Sequence, residues 1–172
     1  SVASNEGAGI GDDGEIDYQH TNIIYNYKLN PFTYNTHYTV YEPSGTATMV
    51  KNAIENGASI INYCGHGSKT SWGTTGFNNN NVNQLTNGNK LPFIFSVACL
   101  NGACFAEAWL RKNNGGAVWT IMSTVNQPWQ PPMRGQDYFN DILTGGYNYN
   151  TNPGNGINTT EGRTILGSIA LN

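Results

Sequence analysis

The sequence predicts an α/β domain in which a mainly parallel central sheet is flanked by helices. Two short apolar runs, residues 59–64 and 91–98, carry this prediction because each is bounded by Gly or Pro. Runs of this length are typical of strands that are buried on both faces of a parallel sheet. Helical patterns alternate with these strands along the chain, which favours an α/β sandwich.

The other elements follow from capping, turn and periodicity signals. Helices are predicted over residues 17–29, 46–55, 82–85 and 103–112, and through residue 143 after a Pro-rich loop at 127–132. Further strands are predicted over residues 37–41 and 117–124, with the tail of a strand at 1–3. Pro31 should end the first helix, and Thr46 should cap the second. Residues 73–81 and 144–158 are expected to form Gly- and Asn-rich loops.

Length and charge exclude several classes of protein. The 172 residues suit one domain with a full core. Charged residues make up only 11% of the chain and the formal net charge is -3, so there is no basic patch for nucleic acid. No apolar stretch approaches the roughly 20 residues that a membrane-spanning helix needs. We therefore expect no nucleic-acid partner and no membrane span.

One histidine and one cysteine stand where the two apolar runs end. His66 follows the first run between two glycines, and Cys99 follows the second run 33 residues further on. The carboxyl ends of parallel strands meet at one edge of a sheet, and this spacing leaves room for a crossover connection. The pattern indicates a Cys–His nucleophilic site, although a lone cysteine at a strand end is more often a packing residue.

Short blocks around both residues match a known family. Residues 63–68 are Tyr-Cys-Gly-His-Gly-Ser and residues 97–102 are Val-Ala-Cys-Leu-Asn-Gly, and both resemble the catalytic blocks of the gingipains. Similar blocks occur in order at residues 4–7, 84–87, 91–95, 104–108 and 132–137, so the resemblance covers nearly the whole chain. Gingipains are secreted cysteine endopeptidases with a caspase-like fold, and the resemblance implies both properties here.

The resemblance also bears on domain organisation. It concerns the second of two related α/β subdomains, which an immunoglobulin-like domain follows in gingipains. We therefore expect residues 1–172 to be a single caspase-like catalytic subdomain, a fragment of a larger secreted or cell-surface chain that ends in an unfinished helix at 164–172. The expected partners are protein or peptide substrates and other domains or chains of the same precursor.

The resemblance assigns the catalytic roles. Cys99 is the expected nucleophile, and His66 is expected to assist the leaving amine. The backbone N–H groups of Gly67 and Cys99 would form the oxyanion hole. Glu6 would accept the second N–H of the imidazole and so fix its tautomer. A solvated turn carboxylate is the alternative for Glu6.

A second carboxylate indicates specificity for Arg. Asp17 corresponds to the acid at the base of the substrate pocket in the Arg-specific gingipains, where a guanidinium can bind through two parallel hydrogen bonds. The same comparison gives Trp129, Met133 and Val97 as the pocket walls and places Gln127 near its mouth. The alternative for Asp17 is a helix N-cap.

The remaining reactive side chains leave alternatives open. Cys64 stands where the family more often has Thr, and Cys104 is expected to lie in the core. The three cysteines allow one disulfide or none, and their spacing with His66 does not match a standard zinc site. His20 and His37 have no evident partner and are expected to be ordinary surface or helix residues.

Metal binding is a further expectation from the resemblance. Because gingipains bind structural calcium, the acidic residues Asp12, Asp13 and Glu15 are calcium candidates, with a solvated acidic turn as the alternative. No cofactor is expected to be required for the chemistry.

The sequence therefore favours a secreted cysteine endopeptidase that cleaves after Arg. Two other functions stay open. One is a caspase-like binding or scaffold fragment without activity, which missing flanking domains would favour. The other is a secreted glycan-binding module, which only the content of Tyr, Trp and Asn suggests.

Overall fold

Five parallel strands form the central sheet of the domain. The computed structural model describes residues 1–148, 150 and 151. The strands are β1 (Val2–Ala3), β2 (Val40–Tyr41), β3 (Ile60–Cys64), β4 (Phe93–Val97) and β5 (Trp119–Met122), in the spatial order β2-β1-β3-β4-β5. Each neighbouring pair runs parallel, which confirms the predicted sheet.

Helices connect the strands and cover both faces of the sheet. They are α1 (Asp17–Ile23), a π-helical segment (Ile24–Leu29), α2 (Asn30–Phe32), α3 (Ala47–Glu55), α4 (Asn79–Asn83), α5 (Cys104–Arg111) and α6 (Gln130–Thr144). Thr46 caps α3 as predicted, because its hydroxyl accepts the N–H of Met49. None of the helices in the described part of the chain has the length and apolar character needed to cross a membrane.

Alternation along β4 divides the core into two clusters. Phe93, Phe95 and Val97 face the side covered by α1, the π-helical segment and α6. Ile94 faces the other side, where it shares a cluster with Trp109 of α5. Successive side chains point to opposite faces of a sheet. The face on which each strand-end residue lies therefore determines which cluster it contacts.

The first helix differs from its prediction at Pro31. The helical backbone does not end there, because Pro31 lies in the first turn of α2 and the chain stays helical through Phe32. A proline is tolerated in a first helical turn, where its missing N–H has no partner to lose. The π-helical residues Ile24–Leu29 join the two regular segments.

Two predictions of burial are wrong. Cys104 is exposed at the start of α5 instead of lying in the core, while its neighbour Phe105 is fully buried. The predicted surface loop at 73–81 contains the buried Phe77, and α4 begins inside it at Asn79. Capping explains the early start, because the side chain of Asn78 accepts the N–H groups of Asn80 and Asn81.

Part of the C-terminal predictions lies outside the described residues. This applies to residue 149, to the portion of the loop prediction beyond residue 151, and to the helix expected at 164–172. The three cysteines are all free, so the structure contains no disulfide.

Candidate active site

The carboxyl ends of β3 and β4 form one rim that carries both reactive side chains. Cys64, the last residue of β3, is paired in register with Val97, the last residue of β4. The N–H of Gly65 donates to the carbonyl of Val97 at 3.1 Å, which extends the pairing one residue further. His66 and Cys99 follow these ends directly, and both line the same small cavity.

His66 is held by the carboxylate of Glu6, which lies in the segment that follows the neighbouring strand β1. Glu6 lies beyond the end of β1, which is paired with β3, and its Oε2 is 2.8 Å from Nε2 of His66. Both side chains are exposed. The indole of Trp129 packs edge-on against the imidazole, with ring centroids 5.5 Å apart. Nδ1 of His66 has no hydrogen-bond partner among the described residues, so it stays available to a bound molecule.

Cys99 makes its contacts with a loop that connects β5 to α6. The backbone N–H of Gln127 donates to Sγ at 3.5 Å, and the thiol lies 3.8 Å from the carbonyl oxygen of Gln127. The turn after Cys99 is held to the same loop, since Leu100 donates to Val125 at 3.1 Å. Leu100 has a φ of 63°, a left-handed conformation that is uncommon for a non-glycine residue. No hydrogen bond joins Sγ to His66 among the described residues.

Gly67 passes the nucleophile so closely that a side chain would not fit. A Cβ atom at this position would lie 2.6 Å from the carbonyl oxygen of Cys99 and 2.8 Å from Cβ of Ala98. The backbone N–H groups of Gly67 and Cys99 have no acceptor among the described residues. An oxyanion hole is built from N–H groups that have no other acceptor, so these two groups remain candidates for that role.

Asp17 lies in the interior of the domain and is fully satisfied. It is the first residue of α1, its side chain is inaccessible to solvent, and it does not act as the N-cap of that helix. Oδ1 accepts the indole N–H of Trp129 at 2.8 Å, and Oδ2 accepts the hydroxyl of Ser4 at 2.6 Å. These hydrogen bonds make the burial of a carboxylate tolerable, since an unpaired buried charge is very unfavourable.

Apolar side chains pack against Trp129, the hydrogen-bond partner of Asp17. Val97 and Met133 are buried in the cluster against which Trp129 packs. The cavity at the rim, which Gln127 and Trp129 also line, measures only about 30 Å³, which is the volume of about one water molecule. The slot beside Asp17 is closed, because the carboxylate is inaccessible to solvent and the indole N–H of Trp129 holds its Oδ1, so a ligand could reach this oxygen only if the indole moved. A larger concavity of about 340 Å³ lies near Ser1 and His37, among residues that flank the opposite end of the sheet.

Cys64 borders the same slot. Its thiol is buried next to Asp17, and both burial and the neighbouring carboxylate raise the pKa of Cys64 well above its usual value. A thiol in this environment stays protonated and unreactive.

The acidic loop before α1 gathers around a buried histidine. Nδ1 of His20 lies 2.9 Å from Oε1 of Glu15 and 3.2 Å from Oδ1 of Asp12. Burial would lower the pKa of His20, but its hydrogen bonds and charge interactions with Asp12 and Glu15 outweigh burial and raise it. The sequence predicted that His20 is an ordinary surface or helix residue, and this prediction is wrong because His20 is buried between two carboxylates. Arg134 of α6 binds Asp12 at 3.1 Å, which ties the loop to the helix that carries Met133.

Asp13 does not belong to this cluster. Its side chain is 71% exposed and bonds to Arg134, whereas Asp12 and Glu15 turn inward toward His20. His37, the other histidine without a predicted partner, stacks on Tyr25 and lies 2.8 Å from the hydroxyl of Ser1.

Sequence reasoning missed three contacts of the site. Ser4 bonds to Asp17, Cys64 borders the slot, and His20 organises the acidic loop. Ser4 belongs to a block that resembles the gingipains, which was the one available signal for it. The other two contacts join residues that are distant in sequence or lie in a loop without a repeating pattern.

The fold and the rim together define a caspase-like domain with a cysteine–histidine pair. The family model described as peptidase family C25 matches residues 2–169, and the chain belongs to this family. It is 43% identical to gingipain R2 of Porphyromonas gingivalis over 99% of its own length and 24% of the relative. The chain thus spans about a quarter of the length of that relative.

Two of the solved structures that resemble this chain are gingipain structures. The crystal structure of the Arg-specific cysteine proteinase gingipain R matches with a TM-score of 0.83 and 43% identity, covering 99% of this chain and 40% of that one. A complex of the pro- and mature domains of RgpB from P. gingivalis matches with a TM-score of 0.80 and 47% identity, covering 83% and 36%. These matches confirm the family resemblance and the caspase-like fold.

The environments of the three cysteines predict a selective alkylation pattern. In the folded protein at neutral pH, iodoacetamide should modify Cys99 and the exposed Cys104 but leave Cys64 unmodified, because the thiolate is the reactive form. Peptide mass spectrometry after timed labelling would measure each site. Urea-unfolded protein is the control, in which all three should react. Labelling of Cys64 in the folded protein as fast as Cys104 would contradict the buried slot.

Proposed function

We propose that this domain is the catalytic part of a cysteine endopeptidase that cleaves peptide bonds after Arg. The observation that supports it most strongly is the convergence of three groups at one rim. These groups are the thiol of Cys99, the His66–Glu6 pair and the slot over Asp17. All three lie at the same edge of the sheet. A fragment without activity would not need to keep all of them, and a glycan-binding module would need none of them.

The proposed reaction assigns a role to each of these groups. Sγ of Cys99 adds to the carbonyl carbon of the scissile bond, and Nδ1 of His66 takes up the thiol proton. The oxyanion is stabilised by the N–H groups of Gly67 and Cys99. His66 then gives the proton to the leaving amine as the C–N bond breaks. Water hydrolyses the thioester, which releases the carboxylic acid and restores the thiol.

Glu6 positions the imidazole for this proton transfer. Its hydrogen bond to Nε2 fixes which ring nitrogen faces the substrate, and its charge favours the imidazolium that forms during the reaction. Glu6 therefore orients the imidazole and does not itself transfer a proton.

The setting of this activity is also a proposal. We infer that the domain acts on protein or peptide substrates outside the cell, as part of a longer precursor whose other domains are its partners. Its membership in family C25 and the resemblance of its blocks to the gingipains support this inference. The similarity to a complex of pro- and mature domains of RgpB suggests that a pro-domain is one such partner.

A divalent cation in the acidic loop is proposed as a structural element. The donors are Oδ1 of Asp12, a carboxylate oxygen of Glu15 and Nδ1 of His20, all within 4.8 Å of one another. Oδ1 of Asp12 is buried, and the nearest nitrogen, Nδ1 of His20 at 3.2 Å, lies closer to Glu15, so this oxygen lacks a partner of its own that a cation would supply. Calcium binds six to eight oxygens, whereas imidazole suits zinc and similar metals. These residues therefore fit a zinc-like ion better than the calcium expected from the sequence.

Removing the nucleophile tests the proposed activity. Cys99→Ala should abolish hydrolysis of Arg peptides while circular dichroism and thermal unfolding stay unchanged, because the thiol is half-buried and makes only weak contacts. Cys104→Ala, which removes an exposed thiol, is the matched control and should keep full activity. Activity of Cys99→Ala close to that of the unchanged chain would contradict the assignment.

The slot predicts a preference for Arg over Lys. Arg can make two parallel hydrogen bonds to Asp17, whereas Lys would leave the buried carboxylate imperfectly paired. The value of kcat/KM for an Arg peptide should exceed that of the matched Lys peptide by more than about tenfold. Asp17→Asn should remove most of this difference, and Glu107→Gln, which changes an exposed carboxylate, should not. Equal cleavage of both peptides by the unchanged chain would refute the slot.

The metal proposal predicts a change in thermal stability. After treatment with EDTA, Zn²⁺ at a hundred times its Kd should raise the Tm by about 5–10 °C, since that excess contributes about 2.7 kcal/mol. Asp12→Asn should lose this increase, while Asp13→Asn should keep it because Asp13 lies outside the cluster. The same increase with Ca²⁺ but not Zn²⁺ would contradict the argument from donor chemistry. No increase with either ion would contradict the site itself.

A further inference from the structure

Ser4 occupies a fixed position between the sheet and the slot. It follows β1 directly, its side chain is buried, and its backbone N–H donates to the carbonyl of Cys64 at 3.0 Å. The backbone of Gly65 passes close by, since a Cβ added there would lie 3.3 Å from Cβ of Ser4. Strand pairing on one side and this close approach on the other leave Ser4 little freedom to move.

Its hydroxyl bonds to two functional elements at once. The O–H donates to Oδ2 of Asp17 at 2.6 Å, and the oxygen accepts the backbone N–H of Glu6 at 3.1 Å. One side chain therefore connects the carboxylate of the slot with the backbone of the residue that orients His66. No other described hydroxyl reaches Asp17.

We propose that Ser4 is a positioning residue that orients the Asp17 carboxylate for Arg, an inference that rests on the proposed Arg specificity. The terminal torsion of an Asp side chain is broad, so the carboxylate plane must be fixed by its partners. Trp129 is the partner at Oδ1, and it must leave this oxygen when Arg enters the closed slot. Ser4 keeps its hold on Oδ2, so that the carboxylate still presents the edge that a guanidinium needs.

The burial of Ser4 alone would allow a purely structural role. A structural role would lower the stability of the domain and the cleavage of all substrates alike. A role in orienting Asp17 changes the ratio between Arg and Lys substrates, because an ammonium has no planar edge to match with the carboxylate. The ratio of kcat/KM values therefore separates the two roles.

The test compares matched Arg and Lys peptides with Ser4→Ala. We expect kcat/KM for the Arg peptide to fall about tenfold, mostly through KM, and the Arg-to-Lys ratio to fall at least fivefold, as loss of a hydrogen bond to a charged group allows. Alkylation of Cys99 should not change. Ser4→Thr, which keeps the hydroxyl, should restore the ratio, and Ser44→Ala, at an exposed serine after β2, should leave it unchanged.

A double variant shows whether the effect passes through Asp17. In the Asp17→Asn background, Ser4→Ala should no longer change the ratio. If Ser4→Ala does not fold, Ser4→Cys keeps the size of the side chain but has only a weak donor, and it should show the same loss. An unchanged ratio in folded Ser4→Ala or Ser4→Cys would overturn the proposal. Absence of an Arg preference in the unchanged chain would instead contradict the proposed function.

Discussion

The parallel pairing of β3 with β4 is the constraint on which the rest of the site depends. Cys64 and Val97 end their strands at the same level, so the chain turns away from the sheet at one rim on both strands. His66 and Cys99 meet there because of this register. Gly67 can pass the backbone of Cys99 only because it has no side chain. A slip of one residue would move every side chain of the strand to the other face and separate the thiol from its slot.

The same register determines what surrounds the carboxylate of Asp17. Cys64 and Val97 face the side that α6 covers, so the slot is apolar and a charge within it is tolerated only with full hydrogen bonding. Ser4 and Trp129 supply that bonding in the absence of substrate. The carboxylate of Asp17 is consequently fully hydrogen-bonded, and under the proposed function an Arg side chain would replace a neutral indole donor with a charged, bidentate partner. Under this proposal, recognition of the substrate requires movement of Trp129.

Loops on either side of the rim connect the slot with the two reactive side chains. Trp129 and Gln127 belong to one exposed loop, and the backbone of Gln127 contacts the thiol of Cys99. On the opposite side, the segment between Glu6 and Asp17 is short and is tied to α6 through Arg134. The carboxylate that contacts His66 and the carboxylate of the slot therefore lie at the two ends of one tethered segment.

The sequence by itself determined the α/β class, the two central strands, and the placement of His66 and Cys99 at one rim, because apolar runs and strand ends are local signals that the parallel register then preserves. The resemblance to the gingipains located Glu6 and Asp17. Only the tertiary structure decided that Cys104 is exposed, that His20 is buried among carboxylates, and that Ser4 and Trp129 donate hydrogen bonds to Asp17. These features depend on contacts between segments far apart in the chain, and no periodicity or spacing encodes which buried polar atom will find which partner.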